Sequence, residues 1–255
     1  MKKLLAAACL ALAACSSGSM AAGDSLMHGM AMPTATSPYV VAAVGDARRP
    51  DADKARDADR HPAETLAFAE IRPGAKVGEL LPGGGYFTRM FAVAVGDGGR
   101  VYALIRPPET ASRYEHDVGD GYANVQMVRQ NLGSMSFPEP LDVLFTAQNY
   151  HDMHIADEHF DDPAAINRAA FAALKPGGYY VIIDHAARDG SGLADNNLHR
   201  IDEAVVRQEV EAAGFVFDGE GQFLRNPADP RTVIVFDPSI RGHTDQFALR
   251  FKKPG

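Results

Sequence analysis

The chain has 255 residues, of which 46% are hydrophobic and 23% charged, with no Trp and two Cys. This is an ordinary globular composition, and the length fits one large domain or two small ones. The formal charge of −8 argues against a nucleic-acid backbone as the main partner, because phosphates would be repelled rather than neutralised.

Lys2 and Lys3 precede a short apolar stretch, Leu4 to Ala14. It is too short to span a bilayer, and the pattern predicts a signal peptide over residues 1–14. The stretch ends in Leu12-Ala13-Ala14-Cys15, followed by Ser16. This resembles the bacterial lipobox, and the resemblance implies an exported chain, lipid-anchored through Cys15 at the outer membrane and facing the periplasm. Cys9 lies inside the signal, so such a mature chain has neither a disulfide nor a thiol nucleophile. Residues 15–59 read as a flexible tether, rich in small residues at first and then alternating in charge from Arg48 to Arg60. Within it, Met27-His28-Gly29-Met30-Ala31-Met32 is either plain linker or a soft-metal cluster.

The folded domain is expected over residues 60–255. Pro62 suits the first turn of a helix whose apolar face is Leu66, Phe68, Ala69 and Ile71, ended by Arg72-Pro73-Gly74. Strands are expected at Val77 to Leu81, Arg100 to Ile105, Asn124 to Val128, Leu141 to Ala147 and Tyr179 to Asp184. Helices are expected at Thr88 to Val95, around Pro108 to His116, at Pro163 to Leu174 and at Ile201 to Ala213. Phe215 to Asp218, Thr232 to Phe236 and Phe247 to Phe251 are further candidate strands. Strands that alternate with helices form a parallel sheet covered on both faces, and the apolar runs Val143-Leu144-Phe145 and Val181-Ile182-Ile183 suit one.

The most informative stretch is Glu79-Leu80-Leu81-Pro82-Gly83-Gly84-Gly85-Tyr86-Phe87-Thr88. A strand that ends in consecutive glycines and turns into a helix lets the backbone approach a ligand closely. A tight turn without a ligand is the plain alternative. Four further segments accompany it: Val101 to Ile105; Asn131-Leu132 after the third strand; Asp142 to Asp152; and Leu174-Lys175-Pro176-Gly177-Gly178 leading into an apolar strand that ends at Asp184. In this order, from about His61 to Lys253, the chain resembles the class I S-adenosylmethionine-dependent methyltransferases, and more narrowly a group of exported bacterial ones.

The resemblance implies an α/β, Rossmann-like fold with a mostly parallel seven-stranded sheet, an antiparallel last strand and helices on both faces. It implies S-adenosylmethionine as cofactor, held by Glu79, Gly83, Gly84, Gly85, Tyr86, Thr88, Asn131 and Asn149, and a small-molecule methyl acceptor. Glu79 would meet the cationic methionine end. The end of the second strand reads Leu104-Ile105-Arg106-Pro107-Pro108-Glu109, without the acid the family uses on the ribose hydroxyls. His151 is the candidate catalytic base, with Asp152 to orient it. Two other readings compete. One is an exported binding protein on the same fold without catalysis. The other is a metal-dependent hydrolase built on His151, His154 and His159 with Asp152, Asp157 and Glu158. Arg225, Asn226, Asp229, Arg231, Arg241 and His243, late in the chain, either recognise a polar substrate or form a solvated loop.

Overall fold

A seven-stranded sheet runs through the molecule in the order β3-β2-β1-β4-β5-β7-β6. The computed structural model describes residues 32–108, 118 and 121–255. The signal segment, Cys15, most of the Met/His cluster, Glu109 and most of the expected helix around Pro108 to His116 lie outside them. Among the described residues, no helix is long and apolar enough to cross a membrane.

The strands are β1 (Lys76–Leu80), β2 (Arg100–Ile105), β3 (Val125–Arg129), β4 (Leu141–Ala147), β5 (Leu174–His185), β6 (Val216–Gly221) and β7 (Gln246–Lys252). β1 pairs in parallel with β2 and β4, and β4 with β5. β7 is antiparallel to both β5 and β6. The central strands are apolar on both faces because helices cover both. On β4, Leu144 enters the cluster containing Ile166, Val206 and Val210. Its neighbour Phe145 points the other way, onto the rings of Phe87 and Phe91, each 5.0 Å away.

Three long helices supply those layers: α5 (Tyr86–Val95), α6 (Pro163–Ala173) and α7 (Glu203–Ala212). Asp202 caps α7 by accepting from Ala204 N at 3.0 Å. The expected break after α6 takes an unusual form. The chain enters β5 at Leu174 without a loop, and Lys253 Nζ donates to the carbonyls of Phe171 in the last turn of α6 and of Leu174 just after it, at 2.7 and 2.6 Å. A lysine at a helix C-terminus satisfies orphan carbonyls and suits the dipole.

Two sequence expectations are corrected. Residues 33–59 are not a tether. The compact unit begins at Pro33 and carries α1 (Pro38–Val44), α2 (Asp51–Lys54) and α3 (Asp57–Arg60) ahead of α4 (Pro62–Phe68). This layer is held by few apolar residues, Val40 and Ala43, and by a fully buried Arg49 that grips Asp57 at 2.9 and 2.5 Å. Alternating charge reads as solvated in a sequence, and here it is internally paired. Thr232 to Phe236 is not a strand either. The segment makes turns, with Val235 N bonded to Leu198 O at 3.2 Å.

Candidate cofactor and acceptor site

The strand order reverses between β1 and β4, and ligands of open α/β sheets bind beyond the strand ends at such a point. There β1 gives way to Leu81 at φ 54°, then Gly83 at φ 55° and Gly85 at φ 81°. Among the described residues, a Cβ added at Gly83 or Gly84 would meet nothing within 4 Å. Gly85 is different, since its Cβ would stand 2.8 Å from Val118 Cβ. Gly85→Ala is therefore expected to lose roughly 1–3 kcal/mol through positive φ and overlap together, seen as a lowered thermal midpoint.

Glu79 is buried beneath this turn and accepts from Thr88 Oγ1 at 2.6 Å. Burial raises its pKa to about 7, against the hydrogen bond from Thr88 and the charges of Arg60 and Arg89. A carboxylate in this position favours any cation brought to it. Asn149 closes the far side, donating to Leu81 O at 3.3 Å and Ala147 O at 2.8 Å. Asn131 is exposed after β3. Thr88 is fully buried and acts through Glu79.

Tyr86 departs from its expected role. Its ring is buried and its hydroxyl donates to Asp57 Oδ1 at 2.6 Å. It faces the N-terminal layer, whose Arg60 lies over the Tyr86 and Phe87 rings at 4.3 and 4.8 Å. Sequence reasoning missed Arg60. The pattern Arg60-His61-Pro62 was its signal, a basic residue at a helix entry just before β1. At the end of β2, Arg106 is buried and donates to Glu158 O at 2.6 Å. No described residue takes the place of the ribose acid there.

Beyond β4 and β5 lies a second constellation. Asp184, fully buried, accepts from His151 N and His185 N and pairs with His151 Nδ1, all at 2.7 Å. His151 Nε2 lies 3.0 Å from Asp152 Oδ1 and 3.3 Å from His199 Nδ1. Burial disfavours the charged imidazole, but Asp184 and Asp152 outweigh it and push His151 up to about 10. Both ring nitrogens are engaged, Nδ1 by Asp184 and Nε2 by Asp152 and His199, a convergence of two carboxylates on one ring that the sequence did not show. Asp152 does meet His151, and also His199. His185 is held neutral by burial, lowered to about 3, and its Nδ1 lies 2.7 Å from Thr244 Oγ1.

The metal set expected from sequence is dispersed. His154 pairs with Glu209 on α7 at 3.2 Å, and His159 is exposed. The late polar residues are mostly internal. Arg200, fully buried, holds Asp229 at 2.8 and 3.1 Å, and Arg231 pairs with Asp245 at 2.7 Å. Arg225 pairs with Glu203 and Glu220, and Asn226 N bonds Asp245 at 2.7 Å. Arg241 and His243 remain exposed, with His243 2.9 Å from Asp59.

No protein-family model matches the chain. A curated relative, the ubiquinone/menaquinone biosynthesis C-methyltransferase UbiE of Shewanella oneidensis, is 26% identical over 194 residues, which is 73% of this chain and 67% of the relative. Among solved structures, a SAM-dependent methyltransferase from Aquifex aeolicus superposes with a TM-score of 0.55 at 19% identity, covering 80% of this chain and 98% of that one. An arsenic(III) S-adenosylmethionine methyltransferase from Chlamydomonas reinhardtii gives 0.51 at 15%, covering 86% and 74%. These structures share the fold. The chain thus has the fold of these class I enzymes, and over 194 residues it is similar in sequence to the C-methyltransferase.

Proposed function

We propose that the chain transfers the methyl group of S-adenosylmethionine to a small-molecule acceptor seated beyond β4 and β5. One observation carries the reading: a buried carboxylate, Glu79, beneath a glycine turn where Gly83 and Gly84 have no described residue within 4 Å of an added Cβ. The residues present fit the cofactor at its methionine end, where Glu79 meets positive charge and the glycine backbone allows close approach. When bound, S-adenosylmethionine supplies an activated methyl for in-line displacement. The protein's part is to hold donor and acceptor in line, which accounts for much of the rate of such reactions. Asn149 ties the β4 end to the glycine turn and keeps the two halves of the cleft in register.

Calorimetry on the purified chain with S-adenosylmethionine and its demethylated product tests this. Micromolar binding is expected. Gly84→Arg is expected to abolish it without moving the thermal midpoint, because the new side chain enters open space that the fold does not use. No heat at millimolar ligand would reject the methyltransferase reading and leave the binding-protein alternative. That alternative draws support from the end of β2, where Arg106 is turned onto Glu158 O in place of a ribose-gripping acid.

We further propose that the chain is an exported, lipid-anchored member of this fold. The support is Leu12-Ala13-Ala14-Cys15 behind Lys2 and Lys3. A Cys15→Ser variant is expected to leave the membrane fraction, and its retention there would refute the anchor.

A further inference from the structure

We propose that His151, Asp152 and His199 form a binding site for a divalent transition-metal ion of the zinc class. Three candidate ligand atoms converge. His151 Nε2 and Asp152 Oδ1 are 3.0 Å apart, His151 Nε2 and His199 Nδ1 3.3 Å, and His199 Nδ1 and Asp152 Oδ1 3.2 Å. Ligands about 2.0–2.1 Å from an ion at tetrahedral angles stand about 3.3 Å from one another. The observed triangle is therefore one face of such a coordination shell, formed before any ion arrives.

The surroundings make the set a ligand set. Asp184 Oδ1 lies 2.7 Å from His151 Nδ1, and a proton on that nitrogen leaves the Nε2 lone pair aimed into the triangle. A carboxylate behind a ligating histidine fixes its tautomer and orientation in metal sites generally. Asp184 is itself fixed by the amides of His151 and His185, so it is fully buried yet not free to turn. His199 is presented from a left-handed backbone position, φ 56°, a conformation that costs free energy and points to a constrained role. A proton on one ring serves one pair of these atoms at a time, whereas a divalent ion that displaces it serves all three. The side chains of His199 and Asp152 are 24% and 22% exposed, which leaves a path for the ion and an open side for a fourth ligand. Two imidazoles and one carboxylate select a borderline transition ion over magnesium or calcium.

Ion binding does not depend on the methyltransferase reading. The use of the fourth position does rest on it: there the ion would hold an oxygen of the acceptor and favour its deprotonated form. The test is titration of the chelator-stripped chain with zinc by calorimetry and with cobalt(II) by visible absorption, without cofactor. One ion per chain and a four-coordinate cobalt spectrum are expected. His199→Ala and Asp152→Asn should each weaken binding at least tenfold, and Asp184→Asn about 10–100-fold through the His151 ring. His159→Ala should change nothing. Thermal melts in parallel distinguish ligand loss from unfolding, and the half-exposed His199 is the safest of the three to remove. Absence of stoichiometric binding at submillimolar zinc, or equal affinity in the folded His199→Ala variant, overturns the site. Neither result bears on S-adenosylmethionine binding, which is measured separately.

Discussion

Glu79→Gln is expected to weaken S-adenosylmethionine binding about 10–100-fold while leaving the chain folded. A hydrogen bond or contact to a charged partner in a buried site contributes about 1.5–3 kcal/mol, and the amide retains an acceptor for Thr88 Oγ1 while removing the charge. Burial raises the Glu79 pKa from 4.5 to about 7. The native state then holds a proton that the unfolded chain has lost between these values. The contribution of this group to stability is thus fully present below about pH 4.5 and falls as pH rises through about 7, by roughly 3 kcal/mol in all. The cationic cofactor prefers the ionised form, so its affinity for the parent should climb with pH across the same upper range. In Glu79→Gln both dependences should flatten, and above pH 7 the variant should melt no lower than the parent. Calorimetry and thermal melts at about pH 6 and about pH 8 read both. A variant that keeps the parent's affinity and pH slope would remove Glu79 from the cofactor site.

The second large effect is expected at Arg200→Met. Arg200 and Asp229 are both fully buried as a two-bond pair, and Arg200 also donates to Ala186 O and Val233 O at 3.0 Å. Removing one partner of such a pair strands the other charge, at a cost of about 3–5 kcal/mol. For a domain of this size that lowers the thermal midpoint by roughly 10 °C. The double variant Arg200→Met with Asp229→Leu should recover part of the loss, since no charge is then stranded. If the single variant melts like the parent, the pair does not organise the segment between α7 and β7.

The parts of this molecule governed by local pattern could be read in the sequence. β2 and β4 occupy the ranges their apolar runs predict, and α5 ends at Val95 as expected. The antiparallel last strand followed from the resemblance, and the glycine turn from Gly83 to Gly85. What the sequence hid depends on partners far along the chain. Arg49 and Asp57 look like surface charges until Arg49 and the Tyr86 hydroxyl are seen to share Asp57. His199 lies 47 residues beyond Asp152, in a segment without periodicity, so no spacing rule would have joined it to His151. Thr232 to Phe236 has strand composition, but it forms turns against Leu198 instead of joining the sheet. His151 was found by position, yet its charge state follows from Asp184 and Asp152 together.

The N-terminal layer has a further consequence. Asp57 holds the Tyr86 hydroxyl, and Asp53 holds Arg89 at 2.8 Å, so helices far upstream are latched onto the first turns of the helix that closes the glycine bend. Filling of that bend and opening of residues 38–60 are therefore expected to be coupled. Amide exchange across those residues should slow when the bend is filled, giving a report of occupancy from a part of the chain that need not touch the ligand.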